Sequence, residues 1–312
     1  MIFGLTTRWN ARRHETGEAM LEEILALGIT RVELGFDLTP NLVPGVCAMA
    51  KAGRITVDSL HAYCPLPPIV PFPSPEPFTL ASLDPSIRAH ALHYLGNTIR
   101  FAGELGARVV VAHAGNVEMK LMTPRLLELA ERPQGFDDAY EKLRMKLLLQ
   151  REKAAGAQLA LLYQGLERLL PLLDETGVIL ALELLPTWEA LPTELEMERL
   201  LVHFSSPRLR YWHDLGHGQI RENLGLVSHL RWLTRLRPWL AGMHVHDVRG
   251  VAQDHVMPPG GAVAFPRFRE VVQGDILRVL EPSGTATAED VRRGLDTIRA
   301  AWEDAAPPAG DA

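Results

Sequence analysis

Short apolar runs along this 312-residue chain end, one after another, in an acid or an imidazole. Glu33 follows Val32. His61 closes Ser59-Leu60-His61-Ala62, and His113 stands in Val111-Ala112-His113-Ala114-Gly115. Glu183 ends Leu180-Ala181-Leu182-Glu183, and Asp214 has His217 three residues on. His244 precedes His246 and Asp247, and Glu281 precedes Pro282. Carboxylates mixed with imidazoles form a ligand set for a divalent cation, and this mixture suits Mn²⁺, Mg²⁺, Co²⁺ or Zn²⁺. A single His or Glu at a strand end is more often a hydrogen-bonded structural residue. Recurrence at successive run ends is what favours a metal site. His14, His90, His93, His203 and His229 fall in helical or loop stretches and read as surface or packing residues.

The elements that must position these groups alternate along the chain. Candidate strands are Ile2–Arg8, Arg31–Asp37, Ile55–Tyr63, Val109–Gly115, Ile179–Pro186, Leu209–Leu215, Leu240–Val248 and Ile276–Pro282. Most open with Val, Ile and Leu, as strands covered on both faces should. Helical periodicity fills the gaps, as in Glu18–Leu27, Ile87–Leu105, Leu195–Phe204 and Ala288–Trp302, and Gly28, Gly53, Gly106 and Gly177 read as helix stops. Eight such units predict an α/β fold, a closed (β/α)₈ barrel with its site at the C-terminal strand ends. A doubly wound open sheet would want a glycine-rich phosphate loop after the first strand, and none is present. Residues two apart share a strand face. Val57 and Ser59 should therefore lie beneath His61, Val109 and Val111 beneath His113, Ile179 and Ala181 beneath Glu183, and Leu277 and Val279 beneath Glu281. On strand six the pattern leaves open which of His213 and Asp214 points inward.

Residues 1–303 read as one barrel domain and 304–312 as a frayed tail. Three connections are long: the Pro-rich Cys64–Pro85 after strand three, Glu118–Glu175 after strand four, and Arg249–Pro266 after strand seven. The first and third should overlie the barrel mouth, where long loops tend to be functional. Gly260-Gly261 reads as a turn rather than a phosphate cradle. Lys plus Arg number 32 and Asp plus Glu 38, a net charge of −6; hydrophobic residues make up 47% and charged residues 22%. That composition excludes general disorder. No apolar run reaches the roughly 18 residues of a membrane span. Two cysteines, Cys47 and Cys64, make no disulfide or metal framework, which points to a reducing, cytoplasmic setting. Net acidity, with Lys and Arg scattered rather than grouped at strand ends, argues against a nucleic-acid partner.

In this order, the short motifs resemble the xylose isomerase-like TIM barrel superfamily, which includes sugar isomerases, sugar 3-epimerases, inosose dehydratases and the endonuclease IV branch. The stretches that carry the resemblance are Val32-Glu33-Leu34, Ser59-Leu60-His61-Ala62, Val110-Val111-Ala112-His113, Leu182-Glu183, Asp214-Leu215-Gly216-His217, Met243-His244-Val245-His246-Asp247 and Leu280-Glu281-Pro282. The isomerase and epimerase branch implies one divalent metal on Glu183, Asp214, His244 and Glu281. It makes Glu183 and Glu281 an acid–base pair moving a proton α to a carbonyl of a sugar or sugar phosphate. It places His217 on a substrate oxygen and an Arg close to Arg249 on the substrate. Glu33 and the aromatics Trp9 and Tyr63 join these as substrate-binding candidates. The endonuclease IV branch holds three zinc ions and cuts abasic DNA; it would add His61 and His113, and an Asp-x-His that here reads Asp254-His255. His61, His113, His217, Asp254 and His255 are thus candidates for a second metal or for substrate. A dehydratase-type lyase would use the same centre. The superfamily also implies a homo-oligomer and a small carbohydrate as partner.

Overall fold

Eight parallel strands close on one another. A computed structural model describes residues 1–303; the tail expected at 304–312 lies outside the described residues. The barrel strands are β1 (Gly4–Thr6), β2 (Arg31–Leu34), β3 (Thr56–His61), β4 (Val109–Ala112), β5 (Ile179–Glu183), β6 (Leu209–Asp214), β7 (Leu240–Val245) and β10 (Leu277–Leu280). Each pairs with its neighbour in sequence and β10 pairs with β1, giving the closed (β/α)₈ order. All eight expected strands are present. Each is shorter than its apolar run; Glu33, His61, Glu183, Asp214 and His244 lie within the strands, and His113 and Glu281 just past them.

Helices α1 (Gly17–Leu25), α2 (Val43–Lys51), α3 (Pro85–Leu105), α4 (Thr123–Ala130), α5 (Asp138–Thr176), α6 (Glu194–Phe204), α7 (Leu215–Asn223), α8 (His229–Leu236) and α9 (Ala288–Trp302) surround the barrel. The long connection after β4 supplies α4 and the 39-residue α5. Gly106 (φ +71°) and Gly177 (φ +74°) end α3 and α5 in the left-handed conformation that favours glycine. The loop after β7 folds as a hairpin of β8 (Asp247–Arg249) and β9 (Gln253–Val256). No helix among the described residues is long and apolar enough to cross a membrane.

The barrel interior is a separate apolar cluster of Val109, Val111, Ala181, Trp212, Leu277 and Val279. Trp212 fills it because Gly242 on β7 lacks a side chain: a Cβ there would fall 2.3 Å from the indole. Trp212 inside puts Asp214, two residues on, inside as well, and this decides the parity of strand six. Val57 does not follow the expected pattern. The register between β2 and β3 shifts by one residue between Val32 and Glu33, which pairs Glu33 with Ser59 and leaves Val57 in the outer core.

Candidate metal centre

Glu183 at the end of β5 is the hub of the barrel mouth. Its Oε2 lies 3.2 Å from His61 Nε2 and 3.4 Å from His113 Nε2; its Oε1 lies 3.2 Å from His217 Nδ1 and 3.4 Å from His244 Nδ1. His244 Nδ1 also faces Glu281 Oε2 at 3.1 Å and Asp214 Oδ2 at 3.6 Å. Strands β5, β6, β7 and β10 thus converge four donors on one point. Three further His/carboxylate or all-His groups adjoin it: His61, His113 and Glu183; Asp214, His246 and Glu281; and His217, His246 and His255.

The hydrogen bonds behind these donors show how they are aimed. His244 Nε2 lies 3.0 Å from Glu33 Oε1, and Ser59 donates to the other oxygen of Glu33 at 2.8 Å. A carboxylate on Nε2 holds a proton there and aims Nδ1 at Glu183, Asp214 and Glu281. His61 Nδ1 meets the Ala62 carbonyl at 3.0 Å, His217 Nδ1 the Leu184 carbonyl at 3.2 Å, and His255 Nδ1 the Glu281 carbonyl at 3.1 Å. Glu76, from the Pro-rich loop, faces His113 Nδ1 at 3.4 Å. His61 therefore turns a lone pair toward Glu183, and His113 and His244 each set both ring nitrogens against carboxylates. A proton or a metal cation must stand between such atoms, and this mixed carboxylate–imidazole set fits a divalent ion.

Electrostatics agree. Burial alone would push Glu183, Asp214 and Glu281 upward. His244 and its neighbours more than offset this at Glu183, and His217 and His246 do so at Asp214, holding both well below the usual carboxylate range. Glu281 comes to about 2 against its burial, through His244, His255 and Arg8. Arg8 donates to Glu281 Oε1 at 2.5 Å. Burial works against charge on His113 too, yet Glu183 and Glu76 raise it to about 9. Protons fill the positions that metal binding would displace.

Several expected site residues sit elsewhere. Glu33 is fully buried, with one oxygen on His244 and the other on Ser59. Trp9 is buried, with its indole N–H on the Ala286 carbonyl at 2.8 Å and Arg13 over its ring. Tyr63 is buried, and its hydroxyl donates to the Phe78 carbonyl at 2.9 Å. Both pack. Phe36 instead borders the centre, edge-on to His61 with Arg8 over its face. Arg249 is exposed because the hairpin carries it outward; it lines a groove of about 400 Å³ with Asp254, His255 and Arg293. Asp254 Oδ2 is 4.0 Å from His217 Nε2. His255 has φ +51°, an uncommon conformation for a side-chain-bearing residue, and is held by its bonds to Glu281 and Ser283. Gly260-Gly261 is a turn, with the Gly261 N–H on Asp247.

His246, whose parity with His244 points it toward the pocket, is fully buried against Asp214. Sequence reasoning passed over two residues of the centre, Glu76 in a loop and Arg8 in the 3-10 turn after β1, where strand periodicity gives no signal. His213 faces away from the centre, toward Tyr211 and His229.

Among solved structures, a D-tagatose 3-epimerase-like protein superposes with a TM-score of 0.69 at 16% identity, covering 97% of both chains. A 3-keto-D-glucoside 4-epimerase from E. coli, in its apo form, gives 0.69 at 17% identity over 96% of this chain and 99% of that one. A D-psicose 3-epimerase from Clostridium cellulolyticum, solved with D-tagatose, gives 0.65 at 14% identity over 97% and 99%. At these identities the likeness is one of fold. No curated protein matches the sequence significantly. A family model does match, from residue 21 in α1 to residue 301 in α9, so that seven of the eight barrel strands and every donor of the centre fall within it: the chain belongs to the xylose isomerase-like TIM barrel family.

Proposed function

We propose that this protein is a divalent-metal-dependent sugar or sugar-phosphate isomerase or epimerase. The observation that carries the reading is the convergence of Glu183, Asp214 and Glu281 on Nδ1 of His244. Those four residues would hold the ion, which as Mn²⁺, Mg²⁺, Co²⁺ or Zn²⁺ supplies a Lewis acid for developing negative charge on a substrate oxygen. Glu183 and Glu281 remain ionised at neutral pH, as a base must. They come from strands on different sides of the mouth, so they can approach a substrate carbon from two directions. One takes the proton α to the carbonyl and the other returns it. The result is epimerisation when the proton returns to the same carbon, and isomerisation when it moves to the neighbour. His217, whose Nε2 faces Asp254 at 4.0 Å, would contact a substrate oxygen. The likeness of fold to solved sugar epimerases supports a small carbohydrate as substrate.

One observation favours a second reading, zinc-dependent phosphodiester hydrolysis of the endonuclease IV kind. The groups His61–His113–Glu183 and His217–His246–His255 provide donors for more than one ion. The test is a panel of aldoses, ketoses and their phosphates, assayed by proton exchange with solvent deuterium, beside an abasic duplex. Deuterium incorporation into a sugar, lost in Glu183→Gln and Glu281→Gln with the fold intact, is the expected result. Turnover surviving in both variants, or cleavage of the duplex with no sugar exchange, would contradict the isomerase reading.

A further inference from the structure

We propose that His246 is a positioning residue that orients Asp214, and that residue 216 is glycine to make room for it. The inference rests on the reading of Glu183, Asp214, His244 and Glu281 as a cation site. His246 stands two residues beyond His244, on the same side of the chain, and is fully buried. Its Nε2 lies 3.0 Å from both oxygens of Asp214. Its Nδ1 receives the backbone N–H of His255 at 3.0 Å. The Asp247 carbonyl is also near Nδ1, at 3.2 Å. The amide can only donate and the carbonyl only accept, so the two compete at Nδ1; the Asp214 carboxylate at Nε2, which only accepts, decides between them and keeps a ring proton on Nε2. That proton then points at Asp214. The opposite tautomer would set N–H against N–H at one nitrogen and a lone pair against a carboxylate at the other.

Asp214 thereby has two fixed donors. The His217 backbone N–H reaches Oδ1 at 2.7 Å, and His246 lies across the carboxylate. Together they hold Oδ2 toward His244 Nδ1, 3.6 Å away. Space for the imidazole comes from the chain that carries Asp214. A Cβ on Gly216 would fall 1.9 Å from His246 Cε1 and 2.4 Å from Nδ1. Gly216 has no positive φ to explain its identity; the ring crossing its Cα does. The carboxylate, the glycine and the histidine form one device, with the hairpin amide of His255 closing on the other ring nitrogen.

The test is Co²⁺ binding by chelator competition, with the visible Co²⁺ spectrum and the thermal unfolding of the metal-free proteins recorded in parallel. H246A and G216A, one deleting the ring and the other displacing it, should each weaken Co²⁺ binding about 10- to 100-fold, the range for lost ligand-orienting partners. H246Q, whose amide can still donate to Asp214, should recover most of that affinity at unchanged stoichiometry. Unfolding temperatures of the metal-free variants should not rank with their affinities. Wild-type affinity in both H246A and G216A would overturn this inference and leave the cation site standing. An H246Q variant as weak as H246A and lacking one bound ion would also overturn it, making His246 a ligand. A wild-type protein that takes up no Co²⁺ would overturn the cation site, and this inference with it.

Discussion

The imidazoles of the mouth are oriented by what lies behind them. Glu33 is the clearest case: a buried carboxylate, anchored by Ser59, whose only route to the centre is through His244. Glu33→Ala should lower divalent-metal affinity about 10- to 100-fold. It also leaves the Ser59 hydroxyl and His244 Nε2 without an acceptor, costing roughly 1–3 kcal/mol of stability. Chelator competition and urea unfolding measure the two effects separately, and unchanged metal affinity would remove Glu33 from the site. At this scale the sequence is readable where an acid or imidazole ends an apolar run. That covers His61, His113, Glu183, Asp214, His244 and Glu281. It misleads for Trp9, Tyr63 and Glu33, because residue type at a strand end does not say whether a side chain meets substrate or closes a buried hydrogen bond. His246 was legible from its spacing to His244; Glu76 reaches the centre from a loop and Arg8 from a 3-10 turn after β1, whose courses are set by tertiary contacts.

Strand β6 carries opposite chemistry on its two faces. Inside, Trp212 occupies the space that Gly242 gives up. Gly242→Ala should therefore overpack the barrel and destabilise it by about 1–3 kcal/mol, seen as a lower urea midpoint; an unchanged midpoint would mean the indole can retreat. Outside, His213 Nε2 meets His229 Nε2 at 2.8 Å. Burial, aided by Arg267, brings His229 from 6.5 down to about 4. The unfolded chain takes up this proton near 6.5, while the folded protein refuses it until about 4. Stability from this residue is thus full above 6.5 and is lost as pH falls from 6.5 to 4. His229→Gln should flatten that part of the stability–pH curve; an equal slope in the variant would place the titration elsewhere. Periodicity predicts a packing role for His229 but cannot find its partner across the gap between β6 and α8. Likewise, the one-residue shift between β2 and β3 that moves Val57 outward leaves no mark in the sequence.

Across the whole molecule, the barrel was the most legible feature, because eight alternations of short apolar run and helical period admit few other closures. The three long connections were also legible in place and length. Two of them bring Glu76 and His255 to the mouth, which composition alone does not announce. The family's fold accommodates this centre at identities of 14–17% to solved epimerases, so the chemistry must be argued from the residues at the mouth. A bound ion would tie β5, β6, β7 and β10 together, and the account predicts that added Mn²⁺ or Co²⁺ raises the unfolding temperature with the logarithm of its free concentration above Kd, while a chelator lowers it. The most direct measurement is the metal content per chain, by plasma mass spectrometry, of protein purified without added metal or chelator. The account predicts at least one divalent ion per chain, lost when Asp214 and His244 are replaced together. Protein that carries no metal, and takes none up on titration, would contradict it.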